Sequence, residues 1–422
     1  ICSGLVGSEM CIRDSSHPPT IAQRRLIPYN RFMHELIFPK GLTAEKFLAR
    51  YWQRKPLLFP QGLPDFPCGL APDELAGMAC EEGIESRLVL EKHGATPWEA
   101  RHGPFDEESF SQLPESHWTL LVQDVDKHLP EVARLLEPFR FIPDWRLDDV
   151  MVSYAADQGS VGPHIDDYDV FLYQARGKRR WKIHTRPVSE DDYIPDLDLR
   201  ILPEFEAEQE WLLEPGDLLY LPPNVAHWGV AEGECMTCSV GFRAPTLKEM
   251  AAAWFEQQVE HQLPGGRYRD PSLKPQAAPA EINNQALSEF KALLQERLDS
   301  LQGDNRWFGR FITEPKEHLS LTAREEPLSS EAFLNRFRER AIIHRHDYTR
   351  LAFTHNDGDG KDTLYANGQA YTLPSESGDF LPVVTRQRDL HFGYLQEWLE
   401  QPVYLELLCR LYNDGHLEFD HE

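Results

Sequence analysis

Apolar positions change period twice along this chain. From Leu42 to Gln53 (LTAEKFLARYWQ) they recur every three or four residues, which predicts a helix with Thr43 as its N-cap. KPLLFP predicts a short strand. Pro72 to Cys80 predicts a second helix, with proline at its start and Asp73 and Glu74 in its first turn. From Leu147 to Gly241 the pattern becomes β-rich: DVMVSYA, DVFLYQ, RRWKIH, EWLL, DLLYLP and MTCSVGF are short runs separated by Gly, Pro and Asp. Strands this dense predict a sandwich or jelly roll, not alternating βαβ units. Gly177 is read here as part of a turn.

After Pro245 the helical period returns in TLKEMAAAWFEQQVEHQ, followed by a Pro/Gly-rich linker, PGGRYRDPSLKPQAAPA, and a helix from Ala286 to Gln302. A third unit starts near Leu328. It reads as helix SSEAFLNRFRERA, strand YTRLAFTH, turn NDGDGKD, strands TLYANG and QAYTLP, and a last helix near Pro402 to Tyr412. Helix plus β-ribbon is how a winged helix reads. The predicted fold class is therefore α+β, with units at 33–245, 246–325 and 326–422 after a leader, 1–32. The piece SEMCIRDS resembles translated adapter sequence, so the leader is read as non-native or disordered and Met33 as a plausible start.

Composition narrows the function. The chain has 422 residues, 43 Lys+Arg against 69 Asp+Glu, and a net charge of −26. Such a surface disfavours wrapping nucleic acid, which needs Lys and Arg, and favours a basic partner. No run of about 18 apolar residues predicts a membrane span. Seven cysteines are too sparse for a disulfide scaffold and suggest a reducing cytoplasm. The lone CxxC, Cys235 and Cys238, lacks a second pair and reads as two buried strand thiols, not a zinc knuckle.

The densest chemistry lies in GPHIDDYDVF. On a strand, His164 and Asp166 project to one face. An H-x-D pair alone is commonly a surface pair. It gains weight from LEPGDLLYLPPNVAH, where a turn, an apolar strand and a loop lead to His227. Two imidazoles and one carboxylate form the facial triad of non-haem Fe(II) oxygenases, with about three positions left open. If 2-oxoglutarate fills two of them, its far carboxylate needs a buried cation. In RGKRRWKIH, Arg179 shares the apolar face of Trp181 and Ile183, while Arg180, Lys182 and His184 take the other. Arg179 is thus the inward guanidinium. HxH at His344 and His346, and HxD at His355 and Asp357, lack a following turn-strand-loop-His element. DGDGKD places His355 and Ala366 where a calcium loop needs acidic residues, so an acidic hairpin turn is the better reading.

Over DWRLDDVMVSY, GPHIDDYDVFLYQARGKRRW, EPGDLLYLPPNVAHWGV and SVGFRAP, the chain resembles the JmjC branch of the cupin superfamily, most closely the bacterial ribosomal oxygenases. ADQGSVG, before His164, is less glycine-rich than that family leads one to expect. The resemblance implies a double-stranded β-helix barrel, a helical dimerisation segment and a C-terminal winged helix. It implies His164, Asp166 and His227 as iron ligands, Arg179 for the distal carboxylate of 2-oxoglutarate, and Ser153 as a cosubstrate-binding serine. It further implies Fe(II), 2-oxoglutarate and O₂ as reactants and hydroxylation of an arginine in a basic large-subunit ribosomal protein, by a cytoplasmic homodimer that does not bind nucleic acid directly. A JmjC-type demethylase or other 2-oxoglutarate oxygenase of a different protein substrate, a cupin isomerase or cosubstrate-free dioxygenase, and a non-catalytic metal-binding cupin remain alternatives.

Overall fold

The computed structural model describes residues 35–92, 97–185, 193–195, 197, 199–261, 271, 275, 278, 280–300, 306–355, 360–374 and 377–420. The leader, most of the Pro/Gly-rich linker, and Asp357 with the rest of the acidic turn at 356–359 lie outside the described residues.

The main sheet contains β1 (Leu57–Phe59), β2 (Ser86–Glu91), β3 (Trp98–His102), β4 (Trp118–Val122), β5 (Leu147–Ala155), β6 (Val170–His184), β7 (Gln209–Leu213), β8 (Leu218–Leu221) and β9 (Ala226–Phe242). Its order is β1-β8-β6-β9-β5-β4-β2-β3, with β7 also on β6. Strands β6 and β9 pair antiparallel from Val170↔Gly241 to His184↔Ala226. The first part of β6 carries β8 and the last part carries β7, so these two long strands run through both layers of a jelly roll.

Two sequence expectations are corrected here. DVFLYQ and RRWKIH form one strand, and Gly177 is a bulge inside it, not a turn; the register with β9 shifts on both sides of Arg176. Gly177 has φ +64°, and a Cβ there would lie 2.0 Å from the Glu234 carbonyl oxygen. Only glycine allows that approach. The sheet also begins before Leu147, because β2, β3 and β4 belong to it. Their alternation is masked by charged residues such as Arg87, Glu99 and Arg101 on half-buried positions.

The helix at Ala44–Arg50 starts as expected, with the Thr43 hydroxyl accepting from the Lys46 N–H at 3.4 Å. Its Phe47 enters a core with Phe59, Phe139, Phe171, Tyr220 and Phe242, all fully buried. Phe139 and Phe171 centroids are 4.7 Å apart and Phe47 and Tyr220 4.9 Å apart. Each such ring contributes about 2–3 kcal/mol by burial. This packing fixes the outer face of the sheet and leaves the opposite face for a cavity.

Helices follow at Leu247–His261, Asn284–Ser300 and Arg306–Thr313. In the C-terminal unit, the helix Ser330–Arg340 is capped by Ser329, whose hydroxyl accepts from the Ala332 N–H. It packs with helices Phe380–Arg386, Phe392–Leu399 and Pro402–Asn413 around buried Phe333, Phe337, Phe380 and Leu408. The ribbon β11 (Leu351–Thr354), β12 (Asp362–Ala366), β13 (Gln369–Leu373) matches the winged-helix expectation. A second sheet, β14 (Asp389–His391), β10 (Ile342–Arg345), β15 (Leu417–Glu418), was not legible beforehand. Among the described residues, no helix is long and apolar enough to cross a membrane.

Candidate active site

His164 and His227 meet through an isolated antiparallel bridge, and His227 lies near the start of β9. His164 and Asp166 therefore occupy an extended segment, not a regular strand as the H-x-D pattern suggests. Pro163 has no N–H to continue a ladder, and Gly162 turns the chain with φ +80°. The shared face is kept nevertheless. His164 Nε2 lies 4.0 Å and His227 Nε2 3.5 Å from the Asp166 carboxylate oxygens. One donor atom from each of the three residues lies within 4.8 Å of the others, and among the described residues no other trio does so.

Each imidazole is oriented by its own backbone. His164 Nδ1 sits 2.9 Å from the Gly162 carbonyl, and His227 Nδ1 2.9 Å from the Val225 carbonyl. A carbonyl only accepts, so both Nδ1 atoms carry the proton and both Nε2 atoms keep a lone pair. Burial, followed by the neighbouring His164, pushes the His227 pKa down to about 4. Both effects favour the neutral ring that a divalent cation requires. The donor set of two neutral imidazoles and one carboxylate thus fits an iron ion.

The three donors line a cavity of about 370 Å³ whose wall includes Ser153, Val170, Leu172, Arg179 and Trp181. Arg179 is 3% exposed. Its Nη1 donates to the Ser153 hydroxyl at 3.2 Å, its Nε has no hydrogen-bond partner among the described residues, and its guanidinium lies 5.2 Å from the Trp181 ring centroid. Ser153 in turn donates to the Thr237 carbonyl at 3.3 Å. Among the described residues no carboxylate pairs with Arg179, and burial lowers its pKa. A buried guanidinium with a free donor is costly alone and fits an anionic ligand.

The sequence reading brought together His164, Asp166, His227, Arg179 and Ser153, and the structure places all five on one cavity. It missed Asp149, Met151, Tyr168, Thr237 and Ser239 on the same wall. Period two supplied the signal: Asp149 and Met151 share the Ser153 face of β5, and Thr237 and Ser239 alternate likewise on β9. Tyr168 bonds to Asp166, whose charge together with burial raises the phenol pKa. The competing histidines are occupied elsewhere. His344 contacts Asp389 and Asp420 at 2.9 and 3.0 Å, and His355 lies 3.1 Å from Asp362. Cys235 and Cys238 are both buried, as expected.

A jelly roll that presents two imidazoles, one carboxylate and a buried guanidinium in one cavity defines a cupin-type oxygenase barrel. Comparison with known families matches a JmjC domain at residues 134–250, a ROXA-like winged helix at 304–418, and an AraC-like ligand binding domain at 205–308, which overlaps the first. The ribosomal protein uL16 3-hydroxylase of Escherichia coli (strain K12) is 35% identical over 90% of this chain and 98% of its own length. The X-ray structure of E. coli YcfD superposes with a TM-score of 0.79 at 34% identity, covering 92% of this chain and 100% of that one. YcfD in complex with cobalt and 2-oxoglutarate gives 0.77 at 33% identity over 92% and 99%. The chain belongs to the JmjC-domain ribosomal oxygenases.

Proposed function

We propose that this protein is an Fe(II)- and 2-oxoglutarate-dependent oxygenase that hydroxylates an arginine side chain of the large-subunit ribosomal protein uL16. The observation that carries this reading is the meeting of three inward-facing donor residues with a buried guanidinium that no carboxylate among the described residues neutralises, all in one cavity. The similarity to a uL16 3-hydroxylase supports the substrate, and the related structure holding cobalt and 2-oxoglutarate supports the cofactors.

His164, Asp166 and His227 would hold iron, which with 2-oxoglutarate and O₂ supplies the oxidising power to place one oxygen atom on a C–H carbon, leaving succinate and CO₂. The Gly162 and Val225 carbonyls keep both Nε2 lone pairs directed inward. Arg179 offers a two-pronged contact to the distal carboxylate, and Ser153 holds that guanidinium in place while presenting its own hydroxyl. Val170, Leu172 and Trp181 keep water from that part of the wall. Asp149 supplies a carboxylate for a cationic side chain, with Met151 and Tyr168 on the same wall to bracket its aliphatic stem.

The net charge of −26 suits a basic target, by steering more than by tight contact. The sparse cysteines support a cytoplasmic setting. We assign 33–245 to the barrel, 246–325 to the helical segment and 326–422 to the winged helix. The helix Asn284–Ser300 exposes Leu287, Phe290, Leu293 and Leu294, a stripe at helical spacing that a second copy would cover, making the protein a homodimer. The test is mass spectrometry of ribosomal proteins incubated with enzyme, Fe(II), 2-oxoglutarate and O₂. An arginine of uL16 heavier by one oxygen atom is expected; unmodified uL16 would overturn the assignment.

A further inference from the structure

Cys68 and Cys238 lie far apart in sequence, yet their sulfur atoms are 3.2 Å apart. Cys238 sits on β9 opposite Val152 of β5 and Tyr173 of β6, facing the core beneath the N-terminal layer. Cys68 comes from the loop between Phe66 and Leu70, which the Tyr173 hydroxyl ties down by donating to the Phe66 carbonyl at 3.1 Å. The partner of Cys238 is therefore Cys68 and not its sequence neighbour Cys235. At strand spacing, residues three apart point to opposite faces, and Cys235 packs instead with Ala155 and Ala231.

We propose that Cys68 and Cys238 form a peroxide-reactive dithiol that closes reversibly to a disulfide joining the N-terminal layer to β9. A disulfide needs about 2.05 Å between sulfurs, so closure requires a movement of only about 1 Å. The two thiols are unequal. Cys68 is partly exposed while Cys238 is fully buried. The hydrogen bond from Cys238 holds the Cys68 thiol below its ordinary range and pushes Cys238 above it. Cys68 is thus the accessible nucleophile and Cys238 the resolving thiol.

The Cys68 thiolate attacks one oxygen of hydrogen peroxide and the O–O bond breaks, giving a sulfenic acid and a hydroxide that takes a proton to become water. The Cys238 sulfur then displaces the sulfenic hydroxyl, which leaves as a second water with the Cys238 proton. Two thiols are oxidised and one peroxide is reduced. A dithiol reductant reverses the bond, as expected for a cysteine pair in a reducing compartment.

The test treats the full chain with hydrogen peroxide, blocks remaining thiols, and maps unreduced peptides by mass spectrometry. Wild type and the Cys80→Ala and Cys235→Ala variants should each yield a 68–238 cross-link that dithiothreitol removes. Cys68→Ala and Cys238→Ala should yield none. Cys68→Ala replaces a partly exposed residue, so the test survives if the buried Cys238→Ala chain fails to fold. Cys68 oxidised to sulfinic acid without a cross-link, a link to Cys80 or Cys235 instead, or two thiols still open to alkylation would each overturn the proposal.

Discussion

The main chains of His164 and His227 bond to each other in both directions, N–H to carbonyl, at 3.0 and 2.9 Å. Residues far apart in sequence are thereby locked side by side, with ring centroids 4.3 Å apart. Backbone pairing thus brings together the histidines of the proposed metal site. Mn(II) at a hundredfold excess over its Kd should then stabilise the fold by about 2.7 kcal/mol. Thermal unfolding with and without Mn(II) checks this, and His164→Ala should lose most of the shift.

Arg179→Ala should raise KM for 2-oxoglutarate while leaving metal affinity nearly unchanged. A charge-assisted bond of this kind is worth about 2–3 kcal/mol, or roughly 25- to 150-fold in KM. Arg179→Lys should recover only part of the loss, because a point charge replaces a planar fork. Steady-state succinate formation at varied 2-oxoglutarate measures both.

The β6 bulge between Gln174 and Arg176, just before Gly177, decides where Arg179 points. On β6, even-numbered Val170 and Leu172 face the cavity, yet so do odd-numbered Arg179 and Trp181. From Gln174 to Arg176 two steps along β6 answer one along β9, which switches the parity of the strand. Gly177→Ala forces a left-handed φ and a clash with the Glu234 carbonyl. A loss of about 1–3 kcal/mol or more in stability is expected, read by urea unfolding, with a higher KM for 2-oxoglutarate in whatever remains folded.

Asp149 has its pKa pushed up to about 6 by burial, opposed by Lys316 Nζ 3.0 Å away and assisted by Asp148, Asp124 and Asp126. The folded carboxyl binds its proton more tightly than the unfolded one. Its stabilising contribution is therefore present below about pH 4 and lost as pH rises through about 6. Binding of a cationic side chain needs the ionised form, so KM for the protein substrate should fall as pH rises to about 6 and then level off. Lys316→Met removes the opposing cation and should move that midpoint upward. A flat KM profile between pH 5 and 7 would remove Asp149 from substrate binding.

Leu287, Phe290 and Leu294 stand exposed on the helix Asn284–Ser300. Replacing Phe290 and Leu294 together with Glu should turn a dimer into a monomer in light-scattering mass measurements. An unchanged mass would place the dimer contact elsewhere.

The sequence carried the metal trio because each member sits in a short extended motif, where alternation and a terminal loop histidine survive any exact strand limit. Arg179 was legible for a different reason: its own run alternates cleanly after the bulge. The bulge itself was not legible, since Gly177 serves a turn and a strand bulge equally well and only the close approach of Glu234 separates them. Strands β2 to β4 hid behind charged half-buried positions. The bond from Lys316 to Asp124 and Asp149 links segments remote in sequence, which no local period can report.

The most direct test of the account compares wild type with Asp166→Ala in one reaction containing uL16, Fe(II), 2-oxoglutarate and O₂, following succinate and the mass of uL16 together. Wild type should produce one succinate per hydroxylated arginine, and Asp166→Ala neither product above background. Coupled turnover by Asp166→Ala at the wild-type rate would contradict the metal assignment on which the whole account stands.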